Sequence, residues 1–166
     1  MISTGGGGSP YPPVLRNAEV RTYRRQLPHG RVDGAVYFVT WRLRRDQPAL
    51  LESERTPVVA ALKFFDQQRY SLYAYVVMDD HVHLVVQPFE GFALEQIIKS
   101  WKGYTATVLR KASRRPASLW QTEYYDRVIR DQRELKEKVQ YLLDNPFRRW
   151  DTITAYEWAG LGDGLS

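Results

Sequence analysis

The 166-residue chain contains no cysteine, which excludes disulfides, thiolate metal sites and cysteine nucleophiles. Histidine is scarce, at three residues, so imidazole chemistry must be concentrated in one or two places. No stretch reaches the apolar length of a membrane span, and residues 1–10 (MISTGGGGSP) lack the apolar core of a signal peptide. Internal repeats are also missing. These absences predict a soluble chain with no membrane partner, suited to a reducing cytoplasm.

Lys and Arg number 24 against 19 Asp and Glu, giving a net charge of +5 and a pI near 9.5. That balance fits a polyanionic partner, and equally an ordinary basic protein. The length suits one domain with a substantial core. The glycine tract before Pro12 and Pro13 reads as part of a flexible leader over residues 1–20, leaving a single domain over 21–166.

Periodicity predicts a strand at about 34–43 and a helix at about 57–68, with Thr56 as its N-cap and Pro57 as its first residue. Strands at about 71–78 and 81–87 follow, joined by Asp79-Asp80 as a two-residue turn. A helix at about 93–111 carries Leu94, Ile97, Ile98, Trp101 and Val108, and a strand at about 125–130 comes next. The last helix starts at Asp131, with Glu134 as capping-box partner, and is expected to close at Pro146. The order βαββαβ is that of a ferredoxin-like α+β fold with an antiparallel sheet.

His81 and His83 stand one residue apart in the run from Ala74 to Val86, so both side chains leave the same face of their strand, while Val82, Leu84 and Val86 take the other. Two imidazoles on one rigid face make half of a divalent-metal site, although the same pattern also describes a plain polar face. In the last helix Leu135, Val139, Leu142 and Leu143 form the apolar stripe. At about 100° per residue, Tyr141 lies roughly 145° from the centre of that stripe, with Asn145 about 40° from Tyr141. A phenol and an amide thus point together, away from the core. A solvated tyrosine and an Asn helix stop would look the same.

Taken in order, several segments resemble the REP-associated tyrosine transposases, a branch of the single-tyrosine HUH transposases with an insertion-sequence-200-like domain. They are Arg24-Arg25-Gln26-Leu27-Pro28-His29, Gly34 to Leu43, His81-Val82-His83-Leu84, Ser100-Trp101-Lys102-Gly103-Tyr104-Thr105, Trp120-Gln121, Tyr125-Asp126, Val128-Ile129-Arg130-Asp131 and Tyr141-Leu142-Leu143-Asp144-Asn145-Pro146. The resemblance spans about Arg24 to Trp158. It implies the same antiparallel α+β sheet, with the histidine motif on a central strand and the catalytic tyrosine on the C-terminal helix. It also implies His81, His83 and Asn145 as ligands for Mg2+ or Mn2+ and Tyr141 as the nucleophile. The chain departs from the family's usual pattern at Asp79-Asp80, where Pro-Asn is common, and at Arg127, where His often follows Tyr-Asp.

A tyrosine phenol ordinarily titrates near 10, so it needs help as a nucleophile at neutral pH. Imidazole and amide ligands suit several metals, zinc included, and Mg2+ or Mn2+ is favoured by the resemblance. The expected activity is a metal-dependent single-stranded DNA endonuclease and strand transferase, cutting at hairpin repeats through a 5′-phosphotyrosine. The alternatives are a hairpin-binding protein that no longer cleaves, and a hydrolase of another substrate with Tyr141 merely structural. The expected partner is single-stranded DNA bearing a hairpin, with the protein a monomer or homodimer, cytoplasmic and associated with a bacterial nucleoid. Lys102, Arg114 and Arg115, together with Arg24 and Arg25, are the candidate DNA contacts. Asp79, Asp80 and Asp126 are candidates for steadying the histidines, while Trp101, Tyr156 and Trp158 look like packing residues.

Overall fold

The structure, a computed structural model, describes residues 9–20 and 34–163. In chain order its elements are β1 (Val14–Leu15), β2 (Val36–Leu43), α1 (Glu52–Phe64), β3 (Tyr70–Val77), β4 (His81–Pro88), α2 (Leu94–Ser113), β5 (Trp120–Ile129), α3 (Gln132–Arg149), β6 (Ala155–Tyr156) and β7 (Ala159–Leu161). Five of the strands form one antiparallel sheet in the order β5-β2-β4-β3-β7, and β1 pairs with β6 apart from it. Without β7, the order and the βαββαβ sequence are those of the expected ferredoxin-like fold.

Every residue of β3 and β4 is buried, because helices cover both faces of the sheet. On one face Trp41 and Val82 sit side by side, and Trp101 of α2 stacks on Trp41 with ring centroids 5.8 Å apart. The Trp101 indole N–H donates to the Tyr70 hydroxyl (3.1 Å), which donates to the Leu62 carbonyl of α1 (2.6 Å). A buried aromatic with its polar atom satisfied contributes strongly; truncating one of this size costs about 3–5 kcal/mol. The opposite face carries Thr40 beside His83 and Arg42 beside His81, and α3 packs over it on β3 and β4.

The β3–β4 turn forms at Asp79-Asp80 as the sequence predicts, closed by the Met78 N–H donating to the His81 carbonyl (2.8 Å). The turn's own carbonyls are taken up as well: Leu50 N–H donates to Asp79 (2.7 Å) and Leu43 N–H to Asp80 (2.8 Å). Neither carboxylate is needed to hold the backbone there.

Several expectations are corrected. Helix α1 starts at Glu52, not at Pro57, because Glu54 reaches back to accept from the Leu51 N–H (2.9 Å) and starts the helix a turn and a half earlier. Pro57 is then an interior residue. Helix α3 does begin at Asp131, whose side chain accepts from the Glu134 N–H (2.8 Å), but Glu134 returns to the Arg130 N–H (2.9 Å) instead of the cap's own. Pro146 does not end α3, which continues to Arg149; the Tyr141 carbonyl near this interruption accepts from the Arg148 guanidinium (2.9 Å). Strand β5 begins at Trp120, five residues before its expected start.

Residues 9–20, expected within a flexible leader, are packed on the domain. Val14 and Leu15 pair with Tyr156 and Ala155, Arg16 donates to the Ile153 carbonyl (2.6 Å) and the Trp150 carbonyl (2.9 Å), and Val20 is buried. The Gln140 side chain holds the end of this segment, accepting from Val20 N–H and donating to Ala18 O, both at 2.9 Å. The sequence hides this docking because its partners lie more than a hundred residues away along the chain.

Candidate active site

Strand alternation puts His81 and His83 on the α3 face of β4, where both are buried and their ring centroids lie 4.5 Å apart. Their neighbours are polar by position. The Thr40 Oγ1, directly across on β2, shares a hydrogen bond with His83 Nδ1 (2.7 Å). His81 Nδ1 donates to the Asp80 carboxylate at 2.6 Å. Burial, the adjacent His81, and the charges of Arg42 and Arg148 push the His83 pKa down to about 3, so this imidazole is neutral near pH 7. Burial tends to raise the Asp80 carboxyl, but its hydrogen bond to His81 and the charges of His81, Arg149 and Arg42 hold it below the ordinary value.

Helix α3 buries Leu135, Val139, Leu142 and Leu143 as the periodicity predicts, and leaves Tyr141 45% exposed. The phenol ring stands edge-on to His83 with centroids 5.7 Å apart, and to Phe38 at 6.1 Å; Phe38 also lies 5.4 Å from the His83 ring. Phe38 therefore forms the apolar floor between the histidine strand and the tyrosine. The Arg148 guanidinium lies over the Tyr141 ring, 4.6 Å from its centroid. Asn145, one helical turn beyond Tyr141, is half-buried. Among the described residues no three His, Cys, Asp or Glu side chains gather as a metal group.

The matched model is that of the IS200-like transposases, covering residues 35–145, a span that includes both histidines, Tyr141 and Asn145. The chain belongs to the IS200-like transposase family. Among solved structures, this family member is similar to a REP-associated tyrosine transposase bound to a REP hairpin, at 20% identity with a TM-score of 0.59, over 83% of this chain and 81% of that one. A protein described as a candidate transposase from Deinococcus radiodurans R1 matches at 20% identity and a TM-score of 0.49, over 71% of this chain and 95% of that one. No curated protein matches the chain. At 20% identity the likeness to the hairpin-bound transposase establishes the fold alone.

The expected DNA contacts fare unevenly. Arg115 is corrected: it is buried, with its guanidinium on both Glu54 carboxylate oxygens (2.8 Å each) and on the carbonyls of Pro48 (2.7 Å) and Ala49 (3.1 Å). It is a structural ion pair between the end of α2 and the start of α1, out of reach of a phosphate. Arg114, at the left-handed cap of α2 (φ 57°), is exposed. The Lys102 ammonium donates to the Gln121 and Thr122 carbonyls of β5 (2.7 and 2.9 Å). It lines a cleft of about 730 Å³ between α2 and β5, together with Arg44, Lys99 and Arg110. Arg24 and Arg25 lie outside the described residues. Asp126 pairs across from Val39 and so leaves the sheet on the face away from the histidines, while Arg127 is on their face but is engaged by Glu134 (2.6 Å).

Sequence reasoning missed Thr40, Phe38, Arg148 and Arg149. Thr40 and Phe38 could have been found by pairing the first strand against the histidine strand, since period two then sets both on the histidines' face. Arg148 and Arg149 carry no signal in the sequence, because Pro146 reads as the helix end.

Proposed function

We propose that this transposase-family chain is a metal-dependent, single-strand-specific DNA endonuclease and strand transferase that cleaves beside hairpin repeats through Tyr141. The observation that carries the reading is the approach of the Tyr141 ring to the buried His81–His83 pair. A phenol half-open to solvent, set edge-on to the neutral His83 imidazole, fits a nucleophile beside a cation site.

The donor set suits a divalent cation. His83 is unprotonated near neutral pH, and both Nδ1 atoms are engaged, His81 with Asp80 and His83 with Thr40. With each Nδ1–H donating, each Nε2 is left with a free lone pair, which is the usual way a second partner fixes a ligating imidazole. Asn145, a turn beyond Tyr141, would complete the set with its amide oxygen. Bound there, Mg2+ or Mn2+ would polarise the scissile phosphate and offset charge on its oxygens.

The chain's own groups then account for the transfer. The Tyr141 oxygen attacks the phosphorus, a P–O bond forms to the phenol, and the bond to the 3′ oxygen breaks. The phenolic proton is lost to solvent and the departing oxygen takes one up as a 3′-hydroxyl. The 5′-phosphotyrosine keeps the energy of the broken diester for rejoining, so no nucleotide cofactor is required. Arg148, over the ring, faces the negative charge that grows on the phenol as its proton leaves. Phe38 keeps the ring from rotating away.

Hairpin DNA as substrate is supported by the likeness to the hairpin-bound transposase, and the cleft carrying Lys102 supplies a basic surface for the backbone. Incubating the protein with hairpin oligonucleotides bearing single-stranded flanks and Mn2+, then resolving it under denaturing conditions, tests the reading. A covalent protein–DNA band that disappears in Tyr141→Phe supports it. Hairpin affinity with no such band would assign the chain to a binding protein instead.

A further inference from the structure

The Asp79-Asp80 turn places two carboxylates beside the histidine pair, where a polyanion has to approach. Their backbone carbonyls are already fastened by Leu50 and Leu43, so the side chains are free to do something else. Arg149, in the last turn of α3 and two turns beyond Tyr141, reaches them both: its NH2 donates to Asp79 Oδ2 at 2.8 Å, and its NH1 stands 3.8 Å from Asp80 Oδ1. That same Asp80 oxygen accepts from His81 Nδ1. An unbroken chain of contacts therefore runs from the tyrosine helix through Arg149 and Asp80 to the first histidine. Asp79 Oδ1 is buried with no partner, a cost tolerated because the other oxygen is held by the guanidinium.

We propose that Arg149 is a positioning residue: it latches the end of the tyrosine helix to the Asp79-Asp80 turn and, through Asp80, fixes the His81 ring with Nδ1 on the carboxylate and Nε2 turned to the reacting centre. Three consequences follow from one cation. The helix end is pinned to the strand that carries the histidines, so Tyr141 and His83 keep their spacing. The Asp80 carboxylate is held where His81 can donate to it, and the imidazole's orientation is set by that bond. One of the two carboxylate charges is offset, which lessens the repulsion toward DNA phosphate that an unpaired Asp-Asp turn would impose. A planar fork spanning two carboxylates is a geometry a lysine ammonium does not reproduce.

The latch rests in part on the proposed tyrosine chemistry, and the test separates the two. In metal-free protein, long-range proton–nitrogen NMR reads the His81 tautomer directly; single-turnover adduct formation on a synthetic hairpin with randomised single-stranded flanks reads the chemistry. Arg149→Ala is expected to shift His81 from a single Nδ1–H form to a mixture, and to slow adduct formation about tenfold at saturating Mn2+ with hairpin affinity within about twofold. Arg149→Lys should keep hairpin affinity at the wild-type level but restore the tautomer and rate only partly. Thermal unfolding of each variant controls for a general loss of structure. An unchanged His81 tautomer in folded Arg149→Ala overturns the proposal, as does an adduct rate that stays at the wild-type level. If the wild type itself forms no adduct, the proposed function fails while the NMR measurement still decides the latch.

Discussion

The Thr40 hydroxyl sits 2.7 Å from His83 Nδ1, on the strand neighbouring the histidine motif and in direct register with it. A threonine that would otherwise be an unremarked β-branched residue thereby engages the Nδ1 side of the His83 ring. Thr40→Val keeps the shape and the strand preference and removes only the hydroxyl. Mn2+ affinity, measured by isothermal titration calorimetry, is expected to fall about tenfold, as is common when a ligating imidazole loses its second partner. An unchanged affinity would mean that the Thr40 hydroxyl does not orient the ring.

Tyr141→Phe removes the phenolic oxygen proposed as the nucleophile and leaves the ring on Phe38 and His83. Covalent attachment to DNA should be abolished completely, while hairpin binding by fluorescence anisotropy stays within about twofold. Asn145→Ala should instead retain the phenol and weaken Mn2+ binding, so its adduct yield should recover as Mn2+ is raised. If excess metal fails to rescue Asn145→Ala, the amide is not a ligand.

Lys102 and Arg114 are expected to grip the DNA backbone without touching the chemistry. A salt titration of hairpin binding should give a shallower slope for Lys102→Ala and for Arg114→Ala, by about 0.7 on the double-logarithmic plot for each phosphate that is no longer neutralised. Mn2+ affinity should not move. Slopes equal to the wild type would place the backbone path elsewhere.

Glu54 and Arg115 form a buried pair, with Glu54 side-chain exposure of only 2%. Burial tends to raise the Glu54 carboxyl, but the Arg115 hydrogen bonds, the Leu51 N–H and the Arg115 charge together hold it below its ordinary 4.5. A carboxyl depressed on folding contributes its stability in full above 4.5 and loses it as the pH falls through the lower folded value. Urea unfolding of the wild type should therefore show weakening stability below about pH 4.5, and this component should be missing when the pair is replaced together, as Glu54→Leu with Arg115→Met. Arg115→Ala alone strands the carboxylate and should cost about 3–5 kcal/mol near neutral pH.

Features set by short-range chemistry were readable in the sequence. His81 and His83 share a face because a strand has period two, Asp79-Asp80 is a turn because only two residues separate two strands, and Asp131 caps α3 because its side chain needs only the next turn. What could not be read depends on partners far along the chain. Arg115 looks like one more exposed cation beside Arg114, and only the fold reveals Glu54, 61 residues earlier, waiting for it. The polar run Gln121-Thr122-Glu123 hides the first half of β5, since a strand exposed along most of its length has no apolar alternation to report. β7 has three residues, too few for any periodicity, and β1 and β6 have two each.

Among the described residues the two borders of the main sheet are unequal, and this bears on how readily either could pair with a further strand. One border is β7, so short that it offers an incoming strand little to pair with. The other is β5, ten residues long, whose outer row of backbone groups would be an inviting template were it apolar. Glu123, Asp126 and Arg127 are exposed along it, and Arg130 follows at its end. A second molecule docking border to border would have to bring matching charges against these, or strip them of water. Border-to-border pairing is thus disfavoured at both ends of the described sheet, by brevity at one and by ionised side chains at the other.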